Sequence, residues 1–556
     1  MTTTQDTERD PFPETAPTTV VGAYTGSIGV VGWEPGKRSA EEKNTQRLLP
    51  IFLGLMVAML LAALDQTIFS TALPTIVGDL DGVHQMQWVI TGYILASTVM
   101  MPVYGKIGDQ VGRKPVLLVA IALFMLGSAI SGMATDIDWM IGGRVVQGLG
   151  GGGLMILSQT VIADIVPPRD RGRYMGLIGG VFALASVAGP LLGGWLTTGP
   201  GWRWAFWINI PLGLIAFGLF AFLLKLPRPQ NQVKVDFAGM ITLGAATVAL
   251  ILAATWGGSD YAWDSWQILS LFAAVVVLSV VFVLIERKAA QPVLPLSLFR
   301  SRSFVLTMSA GLFMGIAMFG ALGYMPTYLQ MVHGATATES GLLMIPMMGS
   351  MLITLIVTGQ IVSRTGRYKI FPLVGMVIIG VALVLLSQLS VDLPVWRVCL
   401  ALGVLGLGLG MTMQILVLIV QNVFSPAMVG TATAGNNFFR QVGATLGSAV
   451  VGSLFASRLM DLLEQRMPAG TMSGAGGSDA SAGFTPELVH TLPGQIQSVV
   501  VGAYNDALIP IYLWLVPFVA VGAILMFFVP ETTLRTSNRI TSEDTASSEK
   551  EPAQQR

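Results

Sequence analysis

The stretch LPIFLGLMVAMLLAALDQTIFSTAL, residues 49–73, holds one charged residue, Asp65, within 25 positions. A helix needs about 20 apolar residues to cross the hydrocarbon core of a bilayer. The stretch therefore predicts a membrane-spanning helix with a single carboxylate near its middle. On insertion scales a charged carboxylate at that depth costs about 2.5–3.5 kcal/mol, so burial makes proton uptake by Asp65 easier.

The rest of the chain has the same apolar character. Of its 556 residues, 53% are hydrophobic and 11% are charged, and the mean hydropathy is +0.69. Soluble proteins carry about 25% charged residues, so the composition predicts a protein that crosses the membrane many times. Fourteen segments are apolar enough to span the membrane: 49–73, 86–105, 115–134, 139–163, 174–196, 204–224, 237–256, 267–285, 303–329, 340–362, 371–390, 396–420, 432–456 and 507–529.

Basic residues between these segments predict the orientation of the chain. Lys and Arg are enriched in cytoplasmic loops. Alternate loops and both tails carry most of them, whereas the remaining loops hold only Arg203, Arg397, Arg458 and Arg466. The pattern predicts cytoplasmic N- and C-termini.

The sequence lacks the signatures of several other classes of function. One cysteine, Cys399, allows no intramolecular disulfide, and three distant histidines give no metal-site spacing. The sequence contains no Gly-x-x-x-x-Gly-Lys-Ser/Thr phosphate loop and no evident nucleophile–base pair. We therefore expect no enzyme, no metal, no nucleic-acid partner, and no cofactor beyond protons as the coupling ion.

Residues 105–114, GKIGDQVGRK, connect the second and third segments. Gly105 and Gly112 permit a tight turn between two helices. Asp109 is placed to meet the N-terminus of a neighbouring helix, where the dipole favours an anion, and Asp164 is the candidate partner of Arg113. The pattern predicts a latch between two helical bundles; the alternative is an ordinary basic loop.

This loop resembles the first signature motif of the major facilitator superfamily. Other segments are similar to motifs of its fourteen-span drug:proton antiporter subfamily, which contains multidrug exporters: LDQTIFSTALP at 64–74, RVVQG at 144–148, GPLLGG at 189–194, WRWAFWINIP at 202–211, LFR at 298–300 and FRQVG at 439–443. The resemblance covers residues 46–456. Two positions depart from it: Gln110 stands where the first motif has Arg, and Ser363 stands where its weak repeat has an acid.

The resemblance implies an all-α membrane protein with the major facilitator fold. We expect a disordered tail at 1–48, a six-helix bundle at 49–224, two inserted helices at 237–285, a second six-helix bundle at 303–529, and a tail at 530–556. An outer loop at 457–506 contains a Gly- and Ser-rich linker, 474–483, and a candidate surface helix, 486–506. The plasma membrane is the location that the resemblance implies, with a monomer as the working unit.

The GPLLGG segment predicts a hinge on the fifth helix, formed by Gly189, Pro190, Gly193 and Gly194. Proline removes a backbone hydrogen bond and bends a helix, and glycine lets a second helix approach closely. The alternative is that Gly and Pro are simply frequent in membrane helices. The family match favours the hinge.

Asp65, Arg144 and Arg440 are the charges predicted inside membrane helices, and we assign them to proton coupling. Ionisable groups within the membrane usually line cavities or pair with one another. The alternative for each arginine is a structural pair or a side chain that reaches the interface. For Asp65 the alternative is a permanent structural bridge to Arg144.

Polar and aromatic residues on several segments are candidates for a central cavity that takes amphipathic compounds. They are Gln66, Trp88, Tyr93, Gln159, Tyr324, Tyr328, Gln330, Gln414, Asn436 and Asn437. Together with the resemblance they predict export of a small amphipathic or lipid-like substrate in exchange for protons, in contact with membrane lipids. Alternatives are export or flipping of an endogenous lipid, and a sensor without transport activity.

Overall fold

The computed structural model describes residues 35–82, 85–224, 226, 235–258, 260–467, 489, 493–532 and 534. In this part of the chain, thirteen helices are long and apolar enough to cross a membrane. A fourteenth, shorter apolar helix, Ile370–Leu386, occupies the predicted segment 371–390. The prediction of an all-α membrane protein is confirmed.

The first half of the chain forms seven helices, because a short helix precedes the last one. They are α1 (Pro35–Asp79), α2 (Met86–Val111), α3 (Arg113–Gly132), α4 (Ile137–Ile165), α5 (Pro168–Thr198), α6 (Trp204–Trp207) and α7 (Asn209–Leu223). The apolar part of α1 is Pro50–Asp79. Residues 35–47, the described part of a separate N-terminal unit, are helical.

Two inserted helices and eight further helices follow. They are α8 (Phe237–Trp256), α9 (Trp266–Lys288), α10 (Arg302–Leu322), α11 (Met325–His333), α12 (Ala337–Leu343), α13 (Ile345–Thr365), α14 (Ile370–Leu386), α15 (Val395–Val423), α16 (Val429–Arg466) and α17 (Gly494–Phe527), with a 3-10 turn at Leu298–Arg300 before α10.

Each half of the chain has its own hydrophobic core. The first core includes Leu55, Phe124 and Phe220, and the second includes Met376 and Leu405. Helices α8 and α9 pack against each other, and α8 also contacts α2 and α16. Only 6% of the most apolar window of α9 is buried inside the protein, so most of this helix is available to lipid.

The loop predicted at 457–506 is shorter in the structure. Helix α16 continues to Arg466, and α17 begins at Gly494 instead of 507. Both extensions place apolar side chains on the core at helical spacing, Leu459 with Leu463 and Val500 with Tyr504, which makes the helices continue past their most apolar segments. The predicted linker 474–483 and most of both predicted tails lie outside the described residues.

Candidate functional site

Asp65 lies in the middle of the apolar part of α1 and is only 2% exposed. Its Oδ2 accepts a hydrogen bond from Nη1 of Arg144 at 2.7 Å. Its Oδ1 accepts from Nε2 of Gln147 at 2.8 Å and from Nδ2 of Asn209 at 3.0 Å. The carboxylate is therefore held by one cation and two amides, from α4 and α7, and is shielded from solvent in this conformation.

Arg144 has further contacts that do not depend on Asp65. Its Nη1 also donates to Oε1 of Gln147 at 2.8 Å. The guanidinium carbon lies 4.0 Å from the ring centroid of Phe69 and 4.5 Å from that of Tyr93. A cation over aromatic faces gains about 0.5–2 kcal/mol. These contacts hold Arg144 in addition to its pair with Asp65.

Sequence reasoning missed two members of this centre, Gln147 and Asn209. Gln147 lies one turn after Arg144, so both side chains share a helix face. Asn209 is the only polar side chain in the sequence of α7, NIPLGLIAFGLFAFL. It also donates to Oγ of Ser128 at 3.0 Å. A neutral amide in an apolar helix was the signal that could have identified both.

Arg440 occupies a second buried polar centre and is 8% exposed. Its Nη2 donates to Oδ1 of Asn437 at 2.6 Å, whereas Nη1 has no hydrogen-bond partner. No carboxylate pairs with Arg440 within the described residues. Nδ2 of Asn437 donates to Oε1 of Gln159 at 3.0 Å. This bond joins the two bundles beside the unpaired guanidinium.

The predicted latch residues come together at the end of the bundles where α2 meets α3, called here the arginine-rich end. Asp109 lies against the N-terminus of α16, where its carboxylate accepts hydrogen bonds from the backbone N–H groups of Gly430, at 3.1 Å, and Thr431, at 2.7 Å. The hydroxyl of Thr431 adds a third bond at 3.0 Å. An anion at this position satisfies free N–H groups and the helix dipole.

Arg113 connects three elements at the same end. It pairs with Asp109 at 3.0 Å and with Asp164. It also donates to the carbonyl of Pro426, in the second bundle, at 3.2 Å. Gly112 has a φ of +103°, which favours glycine, at the turn between α2 and α3.

Gly105 allows α2 and α16 to touch near the same end. A Cβ on Gly105 would overlap Ala434, and it would lie 2.8 Å from the carbonyl oxygen of Gly430. Such a close approach excludes any larger side chain. The glycine of the motif therefore serves the contact between the two bundles.

The α5–α13 side of this end has weaker polar contacts. The guanidinium of Arg169 donates to the carbonyls of Ser363 and Arg364, both at 3.2 Å. The hydroxyl of Ser363 donates to Asp170 at 3.3 Å. All of these bonds are exposed, and Ser363 provides a hydroxyl where the family repeat has an acid. At the arginine-rich end, the hydrogen bonds between α5 and α13 are therefore more exposed to solvent than those between Asp109 and the start of α16.

The four predicted hinge residues differ in what surrounds them. A Cβ on Gly189 would overlap Thr67 of α1, and one on Gly193 would lie 2.9 Å from the carbonyl of Ile68. A Cβ on Gly194 would meet nothing within 4 Å. Gly189 and Gly193 are therefore required for the approach of α1 to α5, whereas Gly194 is not.

Pro190, the fourth hinge residue, faces the second bundle. A Cβ on Gly341 of α12 would lie 3.6 Å from Cβ of Pro190. Pro190 thus lies where the two bundles meet.

The predicted cavity residues divide between the two polar centres and other places. Gln66 follows Asp65 on α1, and Tyr93 is buried with its ring against Arg144, the partner of Asp65. Gln159 and Asn437 meet across the bundles, and Asn436 is buried one turn before Arg440 with no hydrogen-bond partner for its Oδ1.

The five other candidates lie elsewhere. Gln414 is buried on α15, Tyr324 packs on Phe455 within the second bundle, and Gln330 donates to Ser340 at 3.3 Å. Two need correction. Tyr328 is fully buried in the second core, where its hydroxyl donates to Asn505 at 3.0 Å. Trp88 packs on Trp256 of α8. Periodicity cannot show which helix an aromatic ring faces, so the sequence did not place Tyr328 in the second core or Trp88 against α8.

Two helical bundles with separate cores, a buried carboxylate and contacts between bundles at one end are the architecture of a membrane transporter that alternates between two conformations. The major facilitator superfamily model matches residues 55–448. The chain belongs to this superfamily, a family of transporters and not of enzymes.

Relatives and solved structures agree with this membership. The chain is 42% identical over 485 residues to the MFS-type transporter Rv1877 of Mycobacterium tuberculosis, covering 87% of this chain and 70% of that one. It is 37% identical over 514 residues to the multidrug transporter protein MdtP of Bacillus subtilis, covering 89% and 95%. The human organic anion transporter MFSD10 has the same fold, with a TM-score of 0.58, 15% identity and coverage of 89% and 100%.

Proposed function

We propose that this protein exports hydrophobic or amphipathic compounds, including drugs, in exchange for protons. The similarity to a multidrug transporter over most of both chains supports the substrate class. Asp65 supports the coupling, because it is a fully buried carboxylate whose charge is balanced by a single arginine, Arg144.

Neutralising Asp65 changes the electrostatics of this centre more than its packing. A protonated carboxyl no longer balances Arg144, which keeps Gln147 and the two aromatic faces as partners. Gln147 and Asn209 still provide hydrogen-bond donors for the neutral acid. The cycle requires Asp65 to load a proton from outside and release it inside, and substrate competes with the proton for the same centre. A membrane potential contributes about 2.3 kcal/mol per charge per 100 mV.

The proposed location is the plasma membrane, with both termini in the cytoplasm. The arginine-rich end then faces the cytoplasm, which agrees with the enrichment of basic residues in cytoplasmic loops. In that orientation the conformation described here is closed towards the cytoplasm. The proposed working unit is a monomer with protons as the coupling ion and no other cofactor.

The test is efflux from proteoliposomes under an imposed pH gradient, with a panel of cationic, neutral and anionic amphiphiles. Asp65→Asn keeps the shape and the hydrogen-bond acceptor but cannot carry the charge, so gradient-driven efflux should be lost while the protein remains folded. Asp138→Asn, which changes an exposed carboxylate at the start of α4, is the matched control and should transport normally.

A second measurement separates exchange from binding alone. Purified wild-type protein should release protons when substrate is added, and Asp65→Asn should not. Undiminished gradient-driven efflux by Asp65→Asn would disprove the assignment of Asp65. Transfer of labelled lipid between leaflets, with no efflux of any amphiphile, would favour lipid export instead.

A further inference from the structure

A cleft of about 260 Å³ lies between α2 and the first inserted helix, α8, at the end of the bundles opposite the arginine-rich end. Helix α2 begins there at Met86, and α8 ends there at Trp256. The residues around it are aromatic, polar or acidic: Gln87, Trp88, Thr91, Thr255, Trp256, Asp260 and Tyr261. The family motifs described above include none of these seven residues.

Three aromatic rings form the walls of this cleft. The ring centroids of Trp88 and Trp256 are 5.7 Å apart with planes at 70°, and those of Trp256 and Tyr261 are 6.0 Å apart at 63°. Trp88 is 37% exposed and Tyr261 is 38% exposed. The rings therefore meet edge to face and leave part of their surfaces open to an occupant.

A tight turn after α8 places an acid beside these rings. The backbone N–H groups of Asp260 and Tyr261 both donate to the carbonyl of Trp256, at 3.1 and 3.0 Å. Gly258, with a φ of +76°, donates back to the carbonyl of Tyr261 at 2.7 Å. Asp260 is exposed, and no Lys or Arg pairs with it in the described part of the chain.

Tryptophan and tyrosine at helix ends commonly anchor a protein at the membrane interface. Trp266, at the start of α9, fits that role because it is 75% exposed and lies outside the cleft. Trp256 differs, because its ring is in contact with two others and lies beside a carboxylate. Interfacial anchoring requires neither feature.

We propose that this cleft binds an organic ammonium group, either quaternary or a protonated amine. Aromatic faces attract such cations, and an unpaired carboxylate adds the opposite charge. Such an ammonium group is found in two kinds of ligand, a free organic cation and the headgroup of a zwitterionic lipid. The proposal goes beyond the proposed export function, because binding here does not require proton exchange at Asp65.

The experiment measures binding of choline to the full chain in phosphatidylglycerol nanodiscs by ligand-observed NMR. Choline should bind saturably, and 3,3-dimethyl-1-butanol, its uncharged carbon analogue, should not. Asp260→Asn, Trp256→Leu and Trp88→Leu should each weaken binding by about threefold or more, since one cation–π contact contributes about that factor. Trp88 is partly exposed, so its replacement keeps the test valid if Trp256→Leu does not fold.

Matched controls change the same residue types outside the cleft. Asp264→Asn and Trp266→Leu should bind choline like the wild type. Asp65→Asn should also retain full affinity, which separates this site from the proposed coupling centre. Equal binding of the uncharged analogue, wild-type affinity in the cleft variants, or loss of binding in Asp65→Asn would each overturn the proposal.

Nanodiscs that contain phosphatidylcholine identify the source of the ammonium group. Competition by this lipid would assign the cleft to a headgroup, and undiminished choline affinity would assign it to a free cation. Either result supports recognition of an ammonium group at this place.

Discussion

Replacing Asp109 with alanine should release the arginine-rich end of the two bundles. The carboxylate of Asp109 accepts three hydrogen bonds from Gly430 and Thr431 of the second bundle and is 4% exposed. Alanine removes all three bonds and leaves the N-terminus of α16 without its anion. The pair between Asp109 and Arg113 stays within the first bundle, so it does not enter the comparison of closed and open states.

The size of the effect follows from these bonds. A hydrogen bond to a charged group contributes about 1.5–3 kcal/mol, and loss of a helix cap costs about 0.5–2 kcal/mol. Water can replace part of this when the bundles separate, so the closed state should lose about 2–4 kcal/mol. That corresponds to a shift of about 30- to 700-fold in the ratio of closed to open protein.

The assay is a distance distribution between spin labels at Val111→Cys and Arg367→Cys in a Cys399→Ser background. Both labelled positions are exposed, and they lie on opposite bundles. Asp170→Asn is the control, because it changes a carboxylate that accepts one exposed bond between bundles, from Ser363 at 3.3 Å. An unchanged distribution in Asp109→Ala, or an equal change in Asp170→Asn, would refute the latch.

Two further predictions concern the hinge and the second polar centre. Gly189→Ala should destabilise the protein by about 1–3 kcal/mol, because its Cβ overlaps Thr67, whereas Gly194→Ala should leave thermal stability unchanged; equal melting temperatures for the two variants would contradict the packing argument. Arg440→Met should not lower thermal stability, because a buried guanidinium without a carboxylate is costly, but it should reduce efflux from proteoliposomes; normal efflux would exclude a functional role for Arg440.

Much of the membrane architecture could be predicted from hydropathy and from the distribution of Lys and Arg. Asp65 was identifiable for the same reason, since it interrupts an apolar segment. Its amide partners were not, because Gln147 and Asn209 carry no charge and lie 82 and 144 positions away from Asp65 in the chain. The start of α17 at Gly494 was missed because its first turn is polar and the helix continues only through packing on the second core.

Contacts between distant helices were the least predictable features. Trp88 and Trp256 are 168 positions apart, and no periodicity indicates that their rings meet. The sequence predicts Tyr328 as one of the polar and aromatic residues of a cavity, but Asn505 accepts a hydrogen bond from its hydroxyl inside the second core. Which side chains meet across two helices depends on how the helices pack, and a single sequence does not reveal that packing.

The packing of α1 against α5 brings the ionisable group close to the moving parts. Asp65 and Thr67 are two residues apart on α1, Thr67 touches Gly189, and the next residue, Pro190, faces Gly341 in the other bundle. In the proposed exchange, a small rotation of α1 upon protonation of Asp65 would therefore act directly on the contact between the two bundles. If Asp65 carries the proton as proposed, substitutions of Thr67, Gly189 and Pro190 are expected to alter the stoichiometry of coupling before they alter substrate affinity.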